Sequence, residues 1–457
     1  MKQFQKNIRF LFIFLIAFTS NHSWSQVDKA PILTINIVKA AKDSIIIKDF
    51  EANIIGKYDS KSGSQIKLYQ DTKEGYYRLI NGDYWYDFYL TPDFKLEVSY
   101  DIENEGVIFK GIGSPENEYL QDKLDLVVEY SGWENWKLDE AAYLSQVDKL
   151  NFLLTNLLNQ RRPEFTSNLA RTEKFFIVFK RIERLCDYEG LHRYMTSDPE
   201  FKVSDKFPDI FEYFSYDNPK LLDVPNYIPV VEKYIQSELK TSRKASDSLK
   251  DYSQQKIQRI EKLIKNKAIK EILAINIGLN ELNRTKALDS VFLSIQKIAS
   301  KHSRFPEVEK KYSQIQKVAP GKVAPQFTFK DESGALVSLS DFKGKLVYID
   351  IWASWCTPCI KELPHLAEVK KSMEGKNIVF VNISQDNSDE NWRAAIQKYK
   401  IDGINLISGS GQDPFFDAFD VQGIPRYILI DQEGMIIAPQ AMRPSHDGLL
   451  EELKSHL

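Results

Sequence analysis

The chain has 457 residues, of which 43% are hydrophobic, 12% aromatic and 27% charged; at roughly 100 to 200 residues per domain this predicts two to four domains, and the composition excludes a disordered chain. Sixty-one basic against 64 acidic residues leave a net charge of −3, which lacks the basic excess that concentrates a protein on a phosphate backbone and so argues against nucleic acid as a partner. Cys186, Cys356 and Cys359 are the three cysteines, too few for a disulfide-built scaffold and enough for one redox pair.

At the N-terminus, Lys2, Lys6 and Arg9 precede the apolar run Phe10 to Phe18, and Ser23-Trp24-Ser25 follows as a small-x-small pattern. This order of charge, apolar stretch and cleavage site predicts an export signal over residues 1–25, cut before Gln26. The apolar run is much shorter than the roughly 20 residues of a spanning helix, and no cysteine lies near the junction to accept a lipid. The mature chain is therefore expected to be soluble in the periplasm or another extracytoplasmic compartment. Loss of three positive charges from the −3 of the whole chain leaves it at −6. In such a compartment disulfides form and persist.

From residue 26 to about Gly113 short runs alternate at period two: Ile32 to Val38, Ile45 to Phe50, Gln65 to Tyr69, Tyr76 to Ile80, Tyr84 to Leu90, Lys95 to Tyr100 and Val107 to Lys110. Turn residues such as Asn81-Gly82-Asp83 and Thr91-Pro92-Asp93 separate several of them, so the pattern predicts an all-β sandwich or small barrel. The aromatic cluster of Tyr76, Tyr77, Tyr84 to Tyr86, Phe88 and Tyr89 reads as sheet packing at this period. From Ser114 to about Val318 the period lengthens to that of helices. Phe175, Val178, Phe179, Ile182, Leu185 and Cys186 share one apolar face, which makes Cys186 a buried, inert thiol. The charges of this region, including the Lys-rich stretch Lys240 to Lys270, are expected on solvated faces.

Pro320-Gly321 ends the helical pattern and opens a third region over residues 319–457. Strands are predicted at Lys345 to Ile351, Ile378 to Ser384, Tyr427 to Asp431 and Met435 to Ile437, alternating with helices at Lys361 to Met373, Asp389 to Tyr399 and Gly448 to Leu453. That alternation predicts an α/β layer structure with a nearly continuously apolar central strand. Its one polar intruder is Asp350. The run Gly409-Ser410-Gly411 lacks the end of a phosphate loop and reads as a turn.

Trp355-Cys356-Thr357-Pro358-Cys359 falls between that strand and a helix. Cys356 then sits at the helix N-terminus, where unsatisfied N–H groups and the helix dipole favour a thiolate, which makes it the attacking sulfur. Cys359, one turn further, is placed to resolve the mixed disulfide. Half of a zinc site is the plainer alternative, but the six histidines form no matching pair of ligands. A disulfide closing so short a loop would also be a weak staple. The residues call for no cofactor and no metal.

Residues 319–457 resemble the extracytoplasmic thioredoxin-like thiol-disulfide oxidoreductases of the TlpA and ResA type. The resemblance rests on Ala324-Pro325-Gln326-Phe327, Leu339-Ser340-Asp341-Phe342-Lys343-Gly344-Lys345, the Trp-Cys-x-Pro-Cys core, Glu362 and Gly423-Ile424-Pro425. It implies a C-terminal thioredoxin-like fold, an oxidoreductase activity that in many members serves cytochrome c maturation, and a cis-proline at Pro425. Beside the cysteine pair that proline would present Ile424 to an extended substrate by strand addition, with Trp355 as a further substrate contact. It also maps a functional carboxyl onto Glu362, while Asp350 stands where cytoplasmic thioredoxins have a buried Asp. A carboxyl excluded from water can take the proton of Cys359 during resolution. Plainer alternatives are a core hydrogen bond for Asp350 and a solvent-facing position for Glu362. The N-terminal arrangement resembles β domains that precede thioredoxin-like modules in some Bacteroidetes proteins, with Gly113-Ser114-Pro115-Glu116-Asn117 at the junction.

Together these features predict a multidomain exported thiol-disulfide oxidoreductase with a β domain (26–113), a helical region (114–318) and a catalytic domain (319–457). Thr357-Pro358 lacks the histidine found between the cysteines of strongly oxidising enzymes, which favours a reductase of protein disulfides fed by a membrane electron donor. A partner-binding or envelope assembly protein with a secondary redox module, or a disulfide isomerase, are the alternatives.

Overall fold

The computed structural model describes residues 31–457 apart from 51–52, 70–71, 83, 102, 104–105, 242–250, 286 and 410–412. The export signal expected over residues 1–25 and most of the Gly409-Ser410-Gly411 turn lie outside the described residues. The chain divides into two compact units, residues 1–181 with 190–201, and residues 182–189 with 202–457.

Eight strands occur among the described residues of the first unit: β1 (Leu33–Lys39), β2 (Ser44–Asp49), β3 (Ile54–Asp59), β4 (Gln65–Leu68), β5 (Gly75–Asn81), β6 (Tyr84–Leu90), β7 (Lys95–Asp101) and β8 (Gly106–Ile112). They form two four-stranded sheets, in the orders β4-β1-β7-β8 and β3-β2-β5-β6. Ile35 and Val98 of one sheet and Ile45 and Leu79 of the other share one core, which makes the domain a sandwich. The sequence pattern anticipates seven of these strands and misses β3. That strand lies at a sheet edge and leaves Ile54 and Ile55 exposed, so it has no buried face to impose an alternation.

Three helices complete the unit: α1 (Ser114–Glu129), α2 (Glu140–Arg161) and α3 (Ser167–Thr196), the last running through both units. The junction motif is a structural joint. Gly113 has φ 103°, and a Cβ there would lie 2.3 Å from the Phe94 ring, so only glycine fits. Asn117 then accepts from Tyr89 N at 2.9 Å and donates to the Tyr89 and Gly113 carbonyls at 3.0 and 2.8 Å, locking α1 to β6.

The face expected for α3 is buried at Phe179, Ile182 and Leu185, but the buried surface extends beyond it. Val178 is 48% exposed, while Thr172, Glu173, Phe176 and Ile177 are buried. Glu173 accepts from Tyr76 Oη at 2.7 Å, Tyr119 Oη at 2.9 Å and Lys123 Nζ at 2.9 Å. A buried polar network thus sets the orientation of the helix, and an apolar count cannot see it. Cys186 is half-buried, not fully buried as expected. Burial still pushes its thiol up to about 12.

The second unit contains α4 (Tyr227–Thr241), α5 (Tyr252–Leu263), α6 (Lys267–Asn280), α7 (Leu288–Ala299) and α8 (Phe305–Lys317). Lys256 and Lys311 depart from the solvated-face expectation: both are buried, and Lys256 pairs with Glu281 at 2.6 Å. The α/β part follows as β9 (Thr328–Asp331), β10 (Leu336–Ser338), β11 (Leu346–Trp352), α9 (Thr357–Ser372), β12 (Ile378–Ser384), α10 (Asp389–Tyr399), β13 (Ile404–Ile407), α11 (Pro414–Ala418), β14 (Arg426–Ile430), β15 (Ile436–Ala438) and α12 (Leu449–Ser455). Its sheet runs β10-β9-β13-β12-β11-β14-β15. Every residue of β11 is buried. Period two sends Val347, Ile349 and Ile351 to the face packed by Phe415 and Phe416, and Leu346 and Tyr348 to the face packed by α9 and α12. Asp350 belongs to the second set, so the strand aims its one carboxyl toward the face of the helix that follows the cysteine motif.

Candidate active site

The chain leaves β11 at Trp352, turns, and enters α9 with Cys356 as the N-cap. Cys356 and Cys359 form a disulfide, and Cys356 Sγ accepts from Cys359 N at 3.2 Å. The backbone N–H that reaches Sγ and the dipole of a 16-residue helix both favour negative charge on that sulfur once the bond is reduced. The turn is held from β12's end: Asp386 accepts from Ser354 N at 2.9 Å and Ser354 Oγ at 2.7 Å. Trp352, Trp392, Ile396 and Ile401 surround the two cysteines, with Ile424 packed against this cluster. Trp355, by contrast, is 67% exposed beside the buried pair. The Ile424–Pro425 peptide is cis.

Asp350 is 3% exposed, and its Oδ1 has no hydrogen-bond partner among the described residues. Burial pushes its carboxyl up to about 7, an effect that the Lys370 ammonium opposes and the Glu362 carboxylate reinforces. In the sheet it registers with Asn382 of β12 and Tyr427 of β14. Tyr427 Oη is likewise buried without a partner, and its ring stacks on Tyr348 at 5.6 Å. Burial raises both phenols far above their ordinary value, and Asp350 adds to it. A carboxyl about half protonated at neutral pH is the chemical result: a group able to exchange a proton in the range where thiols titrate.

Glu362 is turned inward on α9 and is buried. Its two oxygens accept from Ser445 N at 2.9 Å and Ser445 Oγ at 3.0 Å, with Arg443 Nη1 at 3.6 Å. The two carboxyls are thus brought into electrostatic contact but held differently: Glu362 is satisfied by donors, Asp350 is not.

Lys370, Asn382, Arg443, Ser445 and Asp386 escape the sequence reading. Lys370 Nζ donates to the Asp402 carbonyl and lies 3.4 Å from Asn382 Oδ1. Burial pulls its ammonium down to about 8 against the opposing effect of Asp350 and Asp402. Its signal was available: Glu362, Leu366 and Lys370 follow at four-residue steps on one helical face. Arg443 and Ser445 sit in a loop without periodicity and leave no such trace.

A disulfide at a helix N-terminus, following a central strand that carries a buried carboxyl, defines a thiol-disulfide oxidoreductase of the thioredoxin-like class. A family model described as Redoxin matches residues 319–449. A thiol-disulfide oxidoreductase ResA of Bacillus cereus is 29% identical over 143 residues, covering 31% of this chain and 82% of the relative. The ResA protein of Geobacillus kaustophilus is 31% identical over 123 residues, covering 26% and 67%. The crystal structure of the thioredoxin domain of a thiol-disulfide oxidoreductase from Bacteroides vulgatus is 33% identical, covering 30% of this chain and 96% of that one, with a TM-score of 0.28. The chain belongs to the ResA-type thiol-disulfide oxidoreductases, through its C-terminal region. Among the described residues no helix is long and apolar enough to cross a membrane.

Proposed function

We propose that this protein is an exported reductase of protein disulfides that works outside the cytoplasm through a Cys356–Cys359 dithiol cycle, with residues 319–457 carrying the chemistry. The observation that carries the reading is the cysteine pair at the start of α9 beside a carboxyl that burial holds near neutrality. In the reduced state the Cys356 thiolate attacks one sulfur of a substrate disulfide; that S–S bond breaks and the departing substrate thiolate takes up a proton. Asp350 in its ionised form, with Glu362 nearby, receives the proton of Cys359. The Cys359 thiolate then attacks Cys356 Sγ and expels the second substrate thiolate. The substrate gains two electrons, and the pair returns to the disulfide. Trp355, Ile424 and Pro425 receive the substrate, Ile424 through its backbone in an extended pairing. A membrane-bound dithiol donor restores the reduced state. Support comes from the ResA-type relatives and from the three-part N-terminal signal.

The test is the equilibrium of the full-length mature chain with glutathione together with its reduction of oxidised insulin under dithiothreitol. A potential at or below the thioredoxin range, about −270 mV, and catalysed insulin reduction are expected. Cys359→Ser should accumulate the mixed disulfide at Cys356. A potential near the roughly −120 mV of a strong oxidant, or no catalysis of reduction, would sink the reductase reading.

A further inference from the structure

Within the second unit, the helical segment and the α/β layer share one buried ion pair. Asp420 lies in the loop between α11 and β14, buried and with left-handed backbone at φ 48°. Its Oδ2 accepts from Lys311 Nζ of α8 at 2.9 Å and from Asn283 Nδ2 at 2.9 Å. Its Oδ1 accepts from Gln422 Nε2 at 2.6 Å. Lys311 also donates to the Leu279 carbonyl at the end of α6. Both charged side chains are only 9% exposed. A buried pair of this kind contributes little net stability compared with apolar packing, but it fixes geometry, because losing one partner strands the other charge.

What the pair fixes is the approach to the cysteines. From Asp420 the chain runs through Gln422 and Gly423 to Ile424, which packs against the cluster holding Cys356 and Cys359. Arg426, just beyond, donates to the Phe419 carbonyl at 3.1 Å and to the Pro439 carbonyl at 3.1 Å. The loop is therefore tied across its own base by Arg426 and to the helical segment by Asp420. Lys311, on a helix outside the catalytic fold, reaches a carboxylate whose other oxygen holds a residue two positions before Ile424.

We propose that Lys311 and Asn283, acting through Asp420, are positioning residues that set the Gln422–Pro425 loop and thereby the affinity for the protein substrate. This rests on the reading of Ile424 as the backbone that meets an extended substrate. The helical segment then tunes substrate binding without touching substrate, and the disulfide chemistry itself is left to α9.

The experiment uses the full-length mature chain with Lys311→Met, Asp420→Asn and Lys311→Arg. Asn tolerates the left-handed backbone at position 420. Steady-state reduction of oxidised insulin is compared with the reaction of the reduced enzyme with a small aromatic disulfide that needs no strand pairing. Lys311→Met and Asp420→Asn should raise KM for insulin at least about fivefold with kcat little changed, leave the small-disulfide rate at the wild-type value, and be largely rescued in Lys311→Arg. The double variant Lys311→Met/Asp420→Asn, which strands no charge, should match the singles, since the pair acts as a unit. It also carries the test if a single variant fails to fold. An unchanged KM for insulin in folded variants, or equal losses on insulin and the small disulfide, would overturn the proposal. If the wild type reduces the small disulfide but not insulin, the reductase reading fails instead.

Discussion

Two buried carboxyls, one in each unit, differ in how fully their donors satisfy them. Glu173, in the β-sandwich unit, is fully buried and collects hydrogen bonds from Tyr76, Tyr119 and Lys123. The Lys123 ammonium also lies 4.1 Å from the centre of the Phe176 ring. Asp350, in the α/β unit, has an oxygen that no donor among the described residues satisfies. A carboxylate that receives a cation and two hydroxyls is a tie between elements, here β5, α1 and α3. A carboxyl with an orphan oxygen is destabilised as an anion and is free to exchange its proton. Burial alone therefore does not decide what a buried carboxyl can do; the donors around it do.

Removal of the tie should give the largest effect. Glu173→Gln leaves the Lys123 ammonium buried with no carboxylate, a loss on the order of 3–5 kcal/mol. Denaturant unfolding should show the first unit melting early, while the Cys356–Cys359 equilibrium with glutathione stays at the wild-type value. A shifted redox equilibrium in a folded Glu173→Gln protein would break the contrast between the two carboxyls.

Asp350→Asn should do the reverse. The folded carboxyl is raised from 3.8 to about 7. Between these values the unfolded chain ionises it while the folded chain keeps its proton. The wild type thus loses stability as pH climbs through that window and stays at the lower level above it. An amide has no such loss, so the variant should gain on the order of 4 kcal/mol over wild type above pH 7 and nothing below about pH 4. Urea unfolding across that range checks the sign. In the same variant a trapped mixed disulfide at Cys356 should resolve about a hundredfold more slowly near neutral pH, whereas attack by Cys356 changes less. A variant destabilised above pH 7 and normal in resolution would make Asp350 another tie.

What the sequence discloses follows the same division. Strands with one buried face, such as β7, and the wholly buried β11 are written as apolar patterns. The cysteine motif carries its chemistry in its spacing. β3 is invisible because an exposed edge needs no pattern, and part of the buried surface of α3 is invisible because it contains Thr172 and Glu173. Lys256 and Lys311 read as solvated charges, since a partner distant in the chain decides whether a lysine can be buried. Asp350 was legible as the polar residue in an apolar strand, whereas Glu362 was legible only through the family resemblance. Ser445 and Arg443, which hold Glu362, come from a loop some 80 residues away and became legible only on folding.

The smallest expected effect sharpens the contrast on the Asp350 side. Lys370 is the counter-charge that keeps Asp350 from rising further, while Glu362, two turns earlier on the same helix, pushes the other way. Lys370 donates to the Asp402 carbonyl, so its position does not depend on Asp350 alone. Lys370→Met removes the charge and retains much of the apolar stem. Asp350 should then titrate higher, and the pH dependence of mixed-disulfide resolution should move to the alkaline side by about half to one pH unit, with Lys370→Arg near wild type. Because burial lowers Lys370 itself to about 8, the wild type sheds that positive charge in mildly alkaline solution. The difference between Lys370→Met and wild type should therefore be greatest below that value and narrow above it. Stopped-flow resolution of a trapped mixed disulfide across this range reads both features. A displacement that persists undiminished above about pH 9 would mean that the lysine acts through packing and not through its charge.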